Sequence, residues 1–200
     1  MRITAGKLKD MEVFSPKGQK TRPTSAKVRE AVMSMLAEWL HDSVVVDYFA
    51  GSGVLGFEAV SRGAKDILFL ENDSSACNLL KKNRQNALTR LESFDPSCLK
   101  IKKQDLLKLK KSFEKPFHEP DVVFSDPPYH MVVDWFEYYL SCKLNLPSHG
   151  GVLVLEHSAN DSQRLQKIIS TDPIFELYKL KKYGDTAIII ARRGKKDEQT

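Results

Sequence analysis

From Val44 onward, short apolar runs alternate with stretches in which apolar residues recur at helical spacing. Val44-Val45-Val46 is a β-branched run closing on an acid, so Val44 to Asp47 reads as a parallel strand buried on both faces. Leu55, Ala59 and Val60 then mark a helix reaching Arg62-Gly63. Ile67 to Leu70 is a second strand ending at Glu71, followed by a helix from about Ser74 to Ala87. Leu99 to Lys102 is a short third strand ending near Asp105, and Lys108 to Pro120 is a basic, proline-broken connection. Asp121 to Ser125 is a fourth strand that delivers Asp126. A helix from Met131 to Leu144, a fifth strand from Gly151 to Glu156 and a helix from Asp161 to Ile169 follow. Phe175 to Lys182 and Thr186 to Arg192 flank Gly184-Asp185, a strong hairpin signal.

Upstream the pattern differs. Arg2 to Ala5 and Met11 to Phe14 flank a polar link and predict a short hairpin. Pro16, Gly18 and Pro23 make Ser15 to Pro23 a loop. Thr24 is placed to cap a helix running to about Leu40, with Val28, Val32, Met35, Leu36, Trp39 and Leu40 on one face. The expected class is α/β: a mostly parallel sheet, helices on both faces, and an antiparallel hairpin at the C-terminal edge. The expected divisions are a basic extension over 1–23, one domain over 24–193 and a polar tail over 194–200.

The first strand leads into Gly51-Ser52-Gly53 and, three residues on, Gly56. Strand, glycine turn and helix start together form a cradle for a nucleotide-like cofactor, because glycine admits close backbone approach and a helix start leaves N–H groups unpaired. The spacing satisfies the dinucleotide pattern G-x-G-x-x-G, with Glu71 about 20 residues on. Two features turn the reading away from a nicotinamide or flavin. Asp47 sits just before the turn, where it would repel a diphosphate and attract an amino group. Asp126-Pro127-Pro128-Tyr129 has no role in hydride transfer.

Composition sets outer bounds. With 200 residues, 42% hydrophobic and 28% charged, the chain suits one ordinary globular domain. No apolar run approaches the roughly 18 residues of a membrane span, and Met1-Arg2-Ile3-Thr4 lacks a signal-peptide core. Cys77, Cys98 and Cys142 are far apart and odd in number, which suggests neither a disulfide framework nor a metal site but reduced thiols in a cytoplasmic protein. The net charge of +5 is concentrated: residues 1–30 hold eight basic residues (Arg2, Lys7, Lys9, Lys17, Lys20, Arg22, Lys27, Arg29) against Asp10, Glu12 and Glu30. Such a segment is the footprint of a polyanion partner.

D-Y-F-A-G-S-G-V-L-G from Asp47 to Gly56, the acid at Glu71 and Asp126-Pro127-Pro128-Tyr129 together resemble the S-adenosylmethionine-dependent methyltransferases with a Rossmann-like fold. Four acids, Asp47, Glu71, Asp105 and Asp126, stand at or just beyond successive strand ends, along the crevice where such a sheet binds ligands. The resemblance implies S-adenosyl-L-methionine held by Asp47, Phe49, Ala50, Gly51, Ser52, Gly53, Glu71, Asn72, Asp105 and Leu106. Glu71 would take both ribose hydroxyls, Asp47 would lie near the methionine ammonium, Asp105 would meet the adenine amine, and Asn72 and Leu106 would line the ring. Asp126, Pro127, Pro128 and Tyr129 would do the chemistry. A purine's exocyclic amine is a poor nucleophile because its lone pair is delocalised. Acceptors on its hydrogens, the Asp126 carboxylate and the Pro127 carbonyl, favour a more tetrahedral nitrogen, while Tyr129 offers a flat face for an extruded base.

Arg2-Ile3-Thr4-Ala5-Gly6-Lys7, Thr21-Arg22-Pro23-Thr24 and Val28-Arg29-Glu30 narrow the choice, as does the terminal Tyr183-Gly184-Asp185-Thr186. With the motifs above they closely resemble the bacterial family that methylates guanine N2 in 16S ribosomal RNA. That resemblance covers Arg2 to about Arg193, departing in a longer linker between Leu88 and Leu99. It implies a class I methyltransferase fold with a small N-terminal β-hairpin extension. The implied substrate is a small-subunit guanine, in an assembled or partly assembled subunit. Arg2, Lys7, Lys20, Arg22 and Arg29 are the candidate RNA contacts, and no metal is required. For Arg22 and Arg29 the competing reading is an ion pair capping the first helix, against Glu30 or the sheet. Rival readings of the whole chain are an adenine-N6 DNA or RNA methyltransferase, a non-catalytic RNA-binding assembly factor, and a nicotinamide oxidoreductase.

Overall fold

A computed structural model describes residues 1–15, 25–92, 94–108 and 119–194. The loop from Pro16 with Gly18, Pro23 and Thr24, the basic connection after Lys108, the candidates Lys20 and Arg22, and the tail beyond Gly194 lie outside these residues. The chain forms two compact units, Met1–Lys108 and Leu109–Thr200.

The first unit holds three parallel strands, β1 (Val44–Tyr48), β2 (Asp66–Glu71) and β3 (Leu99–Lys103), in the order β3-β2-β1. Val45, Val46, Ile67, Leu68, Phe69 and Leu70 are all buried, the continuous apolar run a strand covered on both faces requires. Helices α1 (Ala26–Met35), α2 (Ala37–Leu40), α3 (Val54–Ser61) and α4 (Ser74–Leu88) belong to this unit. The expected single helix to Leu40 breaks at Leu36. Neither Gly nor Pro breaks it; Leu36 is buried, and its N–H is shared between the Val32 and Met33 carbonyls at 3.1 and 3.2 Å. The N-cap of α1 is Ser25, whose hydroxyl accepts from the Val28 N–H.

The expected N-terminal hairpin is short: Arg2 bridges Glu12 in antiparallel sense, Ile3 N–H donates to the Met11 carbonyl at 3.0 Å, and Val13 N–H donates to the Met1 carbonyl at 2.8 Å. Further bonds dock it on α3 and α4. Lys7 N–H donates to the Ser61 carbonyl at 2.8 Å, and Asn83 of α4 exchanges bonds with both backbone groups of Phe14 at 2.8 and 2.9 Å. Gly6 has φ 85°, and a Cβ there would stand 1.9 Å from the Ser61 carbonyl oxygen, so only glycine lets the segment dock.

The second unit carries β4 (Val122–Ser125), α5 (Val132–Cys142), β5 (Val152–Ser158), α6 (Ser162–Thr171), β6 (Phe175–Tyr183) and β7 (Thr186–Arg193). Its strand order is β4-β5-β7-β6; β4 and β5 are parallel, while β7 is antiparallel to β5 and to β6. The mixed sheet with antiparallel C-terminal strands is the one the periodicity predicts. Gly184, at φ 65°, makes the turn between β6 and β7. Among the described residues no helix is long and apolar enough to cross a membrane.

Candidate active site

The turn after β1 is built by three glycines with three different jobs. Gly51 (φ 54°) faces open ground, since an added Cβ would meet only the Phe49 carbonyl oxygen at 3.9 Å. Gly53 (φ 77°) caps α3 in the left-handed region, and its Cβ would strike Leu80 at 2.3 Å and Phe57 at 2.9 Å. Gly56 lies against the sheet, where a Cβ would stand 2.3 Å from Phe69. Gly53 and Gly56 therefore pack against the core where a Cβ would stand, and Gly51 leaves that side open. Phe49 is held at φ 59°, a strained conformation for an aromatic residue, at the corner where strand becomes turn. Ala50 N–H donates to the Leu70 carbonyl at 3.1 Å, which sews that corner to β2. Buried Ser52 gives its carbonyl to Asn83 Nδ2 at 2.9 Å.

Asp47 is buried under this turn, where its Oδ2 accepts from the Gly56 N–H at 3.2 Å. Burial pushes its carboxyl up to about 7; the Gly56 bond opposes the shift and the nearby Glu71 charge adds to it. Glu71 spans the same turn. Gly51 N–H donates to Oε2 at 2.8 Å, and the N–H groups of Asn72 and Asp73 donate to Oε1 at 2.8 Å each. Glu71 thus fixes the open glycine while keeping one lone pair, on Oε2. Gln104 N–H donates to the Glu71 carbonyl at 2.8 Å and places Asp105 next in line. Asp105 is half-buried, accepting from Leu107 N–H at 3.2 Å and pairing with Lys108 at 3.4 Å. Leu106 is buried and Asn72 exposed. Two carboxylates bordering an open backbone turn make an electronegative site. A cation suits it and a pyrophosphate does not.

In the second unit, β4 ends at buried Ser125, whose hydroxyl accepts from the Trp135 indole N–H at 2.8 Å and so ties α5 to the strand end. Half-buried Asp126, buried Pro127 and exposed Pro128 follow. Tyr129 opens a short turn, with the Met131 N–H donating to the Pro128 carbonyl at 3.0 Å. Its ring is 40% exposed and borders a cavity of about 400 Å³ lined also by His130, Asp134, Asn160 and Arg164. Its hydroxyl meets Thr186 Oγ1 at 2.7 Å and Glu156 Oε1 at 3.5 Å.

The candidate RNA contacts divide. Arg2 and Lys7 are exposed. Arg29 is not available to RNA and that assignment is corrected: it is 2% exposed, donates to the Arg2 carbonyl at 2.9 Å, and pairs with buried Glu58 at 3.5 Å. The ion-pair reading therefore holds for Arg29, with Glu58 of α3 as partner. Glu58 also takes Thr4 N–H and Thr4 Oγ1 at 3.0 Å each, and the Arg62 guanidinium. An amphipathic reading of α3 does not find Glu58, because buried acids carry no periodicity. Asn83 had a faint signal, a polar residue interrupting the Leu80–Ala87 face of α4. Nothing local marked Glu156 or Thr186 as partners of Tyr129.

The family model described as Conserved hypothetical protein 95 matches residues 1–192. The chain belongs to that family. A curated relative, the Ribosomal RNA small subunit methyltransferase D of Haemophilus influenzae, is 35% identical over 158 residues, 78% of each chain. Among solved structures, a candidate methylase of H. influenzae, HI0767, superposes with a TM-score of 0.73 at 28% identity, covering 98% of this chain and 99% of its own. The candidate methyltransferase yhhF of Escherichia coli gives 0.72 at 25% identity, with the same coverage. The fold is that of the class I methyltransferases, as the family resemblance implies.

Proposed function

We propose that this protein transfers a methyl group from S-adenosyl-L-methionine to the exocyclic N2 amine of a guanine in 16S ribosomal RNA, within a small subunit or its assembly intermediate. One observation supports the reading above the others: a buried carboxylate and a bridging one, Asp47 and Glu71, border the open turn at Gly51. Their charge favours a sulfonium and an ammonium over a pyrophosphate. The relatives' names supply the ribosomal RNA.

When bound, S-adenosylmethionine supplies an activated methyl group. Asp47 would balance the cofactor's positive charge from beneath the turn. Glu71 would offer its remaining lone pair to a ribose hydroxyl and take the second by exchanging one of its backbone bonds, Asp105 would accept from the adenine amine, and Leu106 would cover the ring. Asp126 and the Pro127 carbonyl would accept the hydrogens of the target amine and localise its lone pair. Pro127 and Pro128 stiffen that stretch of backbone. Tyr129 would stack on the extruded base. After transfer the amine nitrogen carries one proton too many, and the Asp126 carboxylate would take it. Positioning and charge supply most of the acceleration.

Asp126→Ala tests the assignment. It should lower transfer of labelled methyl to small ribosomal subunits by at least about a hundredfold, while the cofactor dissociation constant by calorimetry stays within about twofold. Full activity in this variant would refute the role given to Asp126.

A further inference from the structure

The Tyr183-Gly184-Asp185-Thr186 corner has no part in the chemistry above, yet it is built onto Tyr129. Gly184 turns the chain at φ 65°, and Thr186 opens β7 opposite Ser158 of β5, two residues beyond Glu156. The pairing brings a hydroxyl and a 5%-exposed carboxylate to one point, and the Tyr129 hydroxyl sits there, 2.7 Å from Thr186 Oγ1 and 3.5 Å from Glu156 Oε1. The ring itself stays 40% exposed. Its polar end is tied while its faces remain accessible.

We infer that Thr186 and Glu156 are positioning residues that fix the direction of the Tyr129 side chain, so that the β6–β7 hairpin sets where the acceptor base stacks. The inference rests on the function proposed above and deepens it. A bond at the hydroxyl leaves the ring free to flip about its own axis but stops the side chain swinging about Cα–Cβ. An exposed tyrosine without that tie would sample several rotamers and have to be ordered at each encounter with substrate. The hydroxyls of Thr186 and Tyr129 exchange one hydrogen bond, which leaves a phenol proton directed at Glu156 when Thr186 donates. Burial raises the phenol's pKa; the Thr186 bond opposes that rise and the Glu156 charge adds to it, so the phenol keeps its proton.

The test compares wild type, Thr186→Val, Thr186→Ser, Tyr129→Phe and the double variant Tyr129→Phe/Thr186→Val. Methyl transfer to small ribosomal subunits from cells lacking the protein gives kcat and KM for RNA. Thr186→Val should lose about fivefold in kcat/KM, in line with one lost hydrogen bond, and Thr186→Ser should stay within about twofold of wild type. In the Tyr129→Phe background Thr186→Val should change nothing further. Activity equal to wild type in Thr186→Val, or a loss that persists without the phenol, overturns the inference. The free protein labelled with 3-fluorotyrosine is read in parallel, its Tyr129 resonance identified by loss in Tyr129→Phe. Thr186→Val should shift or split that resonance, and an unmoved signal also overturns the inference. If wild type methylates no RNA, the functional reading falls while the fluorine spectrum still decides the pinning. If Thr186→Val does not fold, Thr186→Ala is read in the same two assays.

Discussion

At the scale of single residues, Asp47 makes the sharpest demand. Its carboxyl is raised to about 7 in the folded protein, against an ordinary value of 3.8. A raised folded pKa means that the folded state holds a proton the unfolded chain has already lost. That contribution is fully present below about pH 3.8, is lost as pH rises through about 7, and is absent above it. A cationic cofactor favours the ionised form, so its binding should expel the proton. Cofactor affinity should therefore rise about tenfold between pH 6 and pH 8, with proton release on binding near pH 6. Titration calorimetry in buffers of different ionisation enthalpy measures both. Equal affinity at the two pH values with no proton released would separate Asp47 from the cofactor. The glycines show how far residue types alone can be read. All three sit where a nucleotide turn requires them, yet only the packing around Gly53 and Gly56 shows that they serve the core, and that packing comes from Leu80 and Phe69, distant in sequence.

At the scale of elements, β1, β2, β4 and β5 were legible because buried parallel strands are apolar throughout, and β6 and β7 because Gly184-Asp185 separates them; each of the seven described strands lies within a few residues of its expected bounds. The N-terminal segment was legible as a hairpin, but its docking was not, because its partners there are polar groups on helices far along the chain. Its basic residues pointed to RNA, but a fully buried carboxylate, Glu58, holds Arg29, Arg62 and Thr4 together and attaches the segment to α3. Removing that carboxylate leaves buried guanidinium charge without its counterion. Glu58→Ala should cost about 3–5 kcal/mol in urea unfolding, and the segment's amides, Lys7 and Leu8 among them, should exchange faster with solvent. A loss below about 1 kcal/mol would mean that Glu58 does not hold the segment.

At the scale of the whole molecule, the excess charge and the methyl-transfer motifs lie in different stretches of sequence, and their meaning depends on a common partner. With Arg29 committed to Glu58, the exposed N-terminal cations among the described candidates are Arg2 and Lys7. Replacing both by Ala should weaken binding to 16S ribosomal RNA and flatten the dependence of log K on log salt by about one unit per lost phosphate contact. An unchanged slope in a filter-binding titration would take those two residues off the RNA interface. Motif spacing put Asp126 just past a strand end, and there it follows β4. Spacing could not show the polar groups around Tyr129, because Glu156 and Thr186 reach it only through the pairing of β5 with β7. The claim that joins these scales is that one guanine amine in the small subunit is this protein's substrate. Mapping methylated nucleotides in 16S ribosomal RNA from cells with and without the protein tests it most directly. The account predicts one N2-methylguanosine present in the first RNA and missing from the second; identical maps, or the loss of an N6-methyladenosine instead, would contradict it.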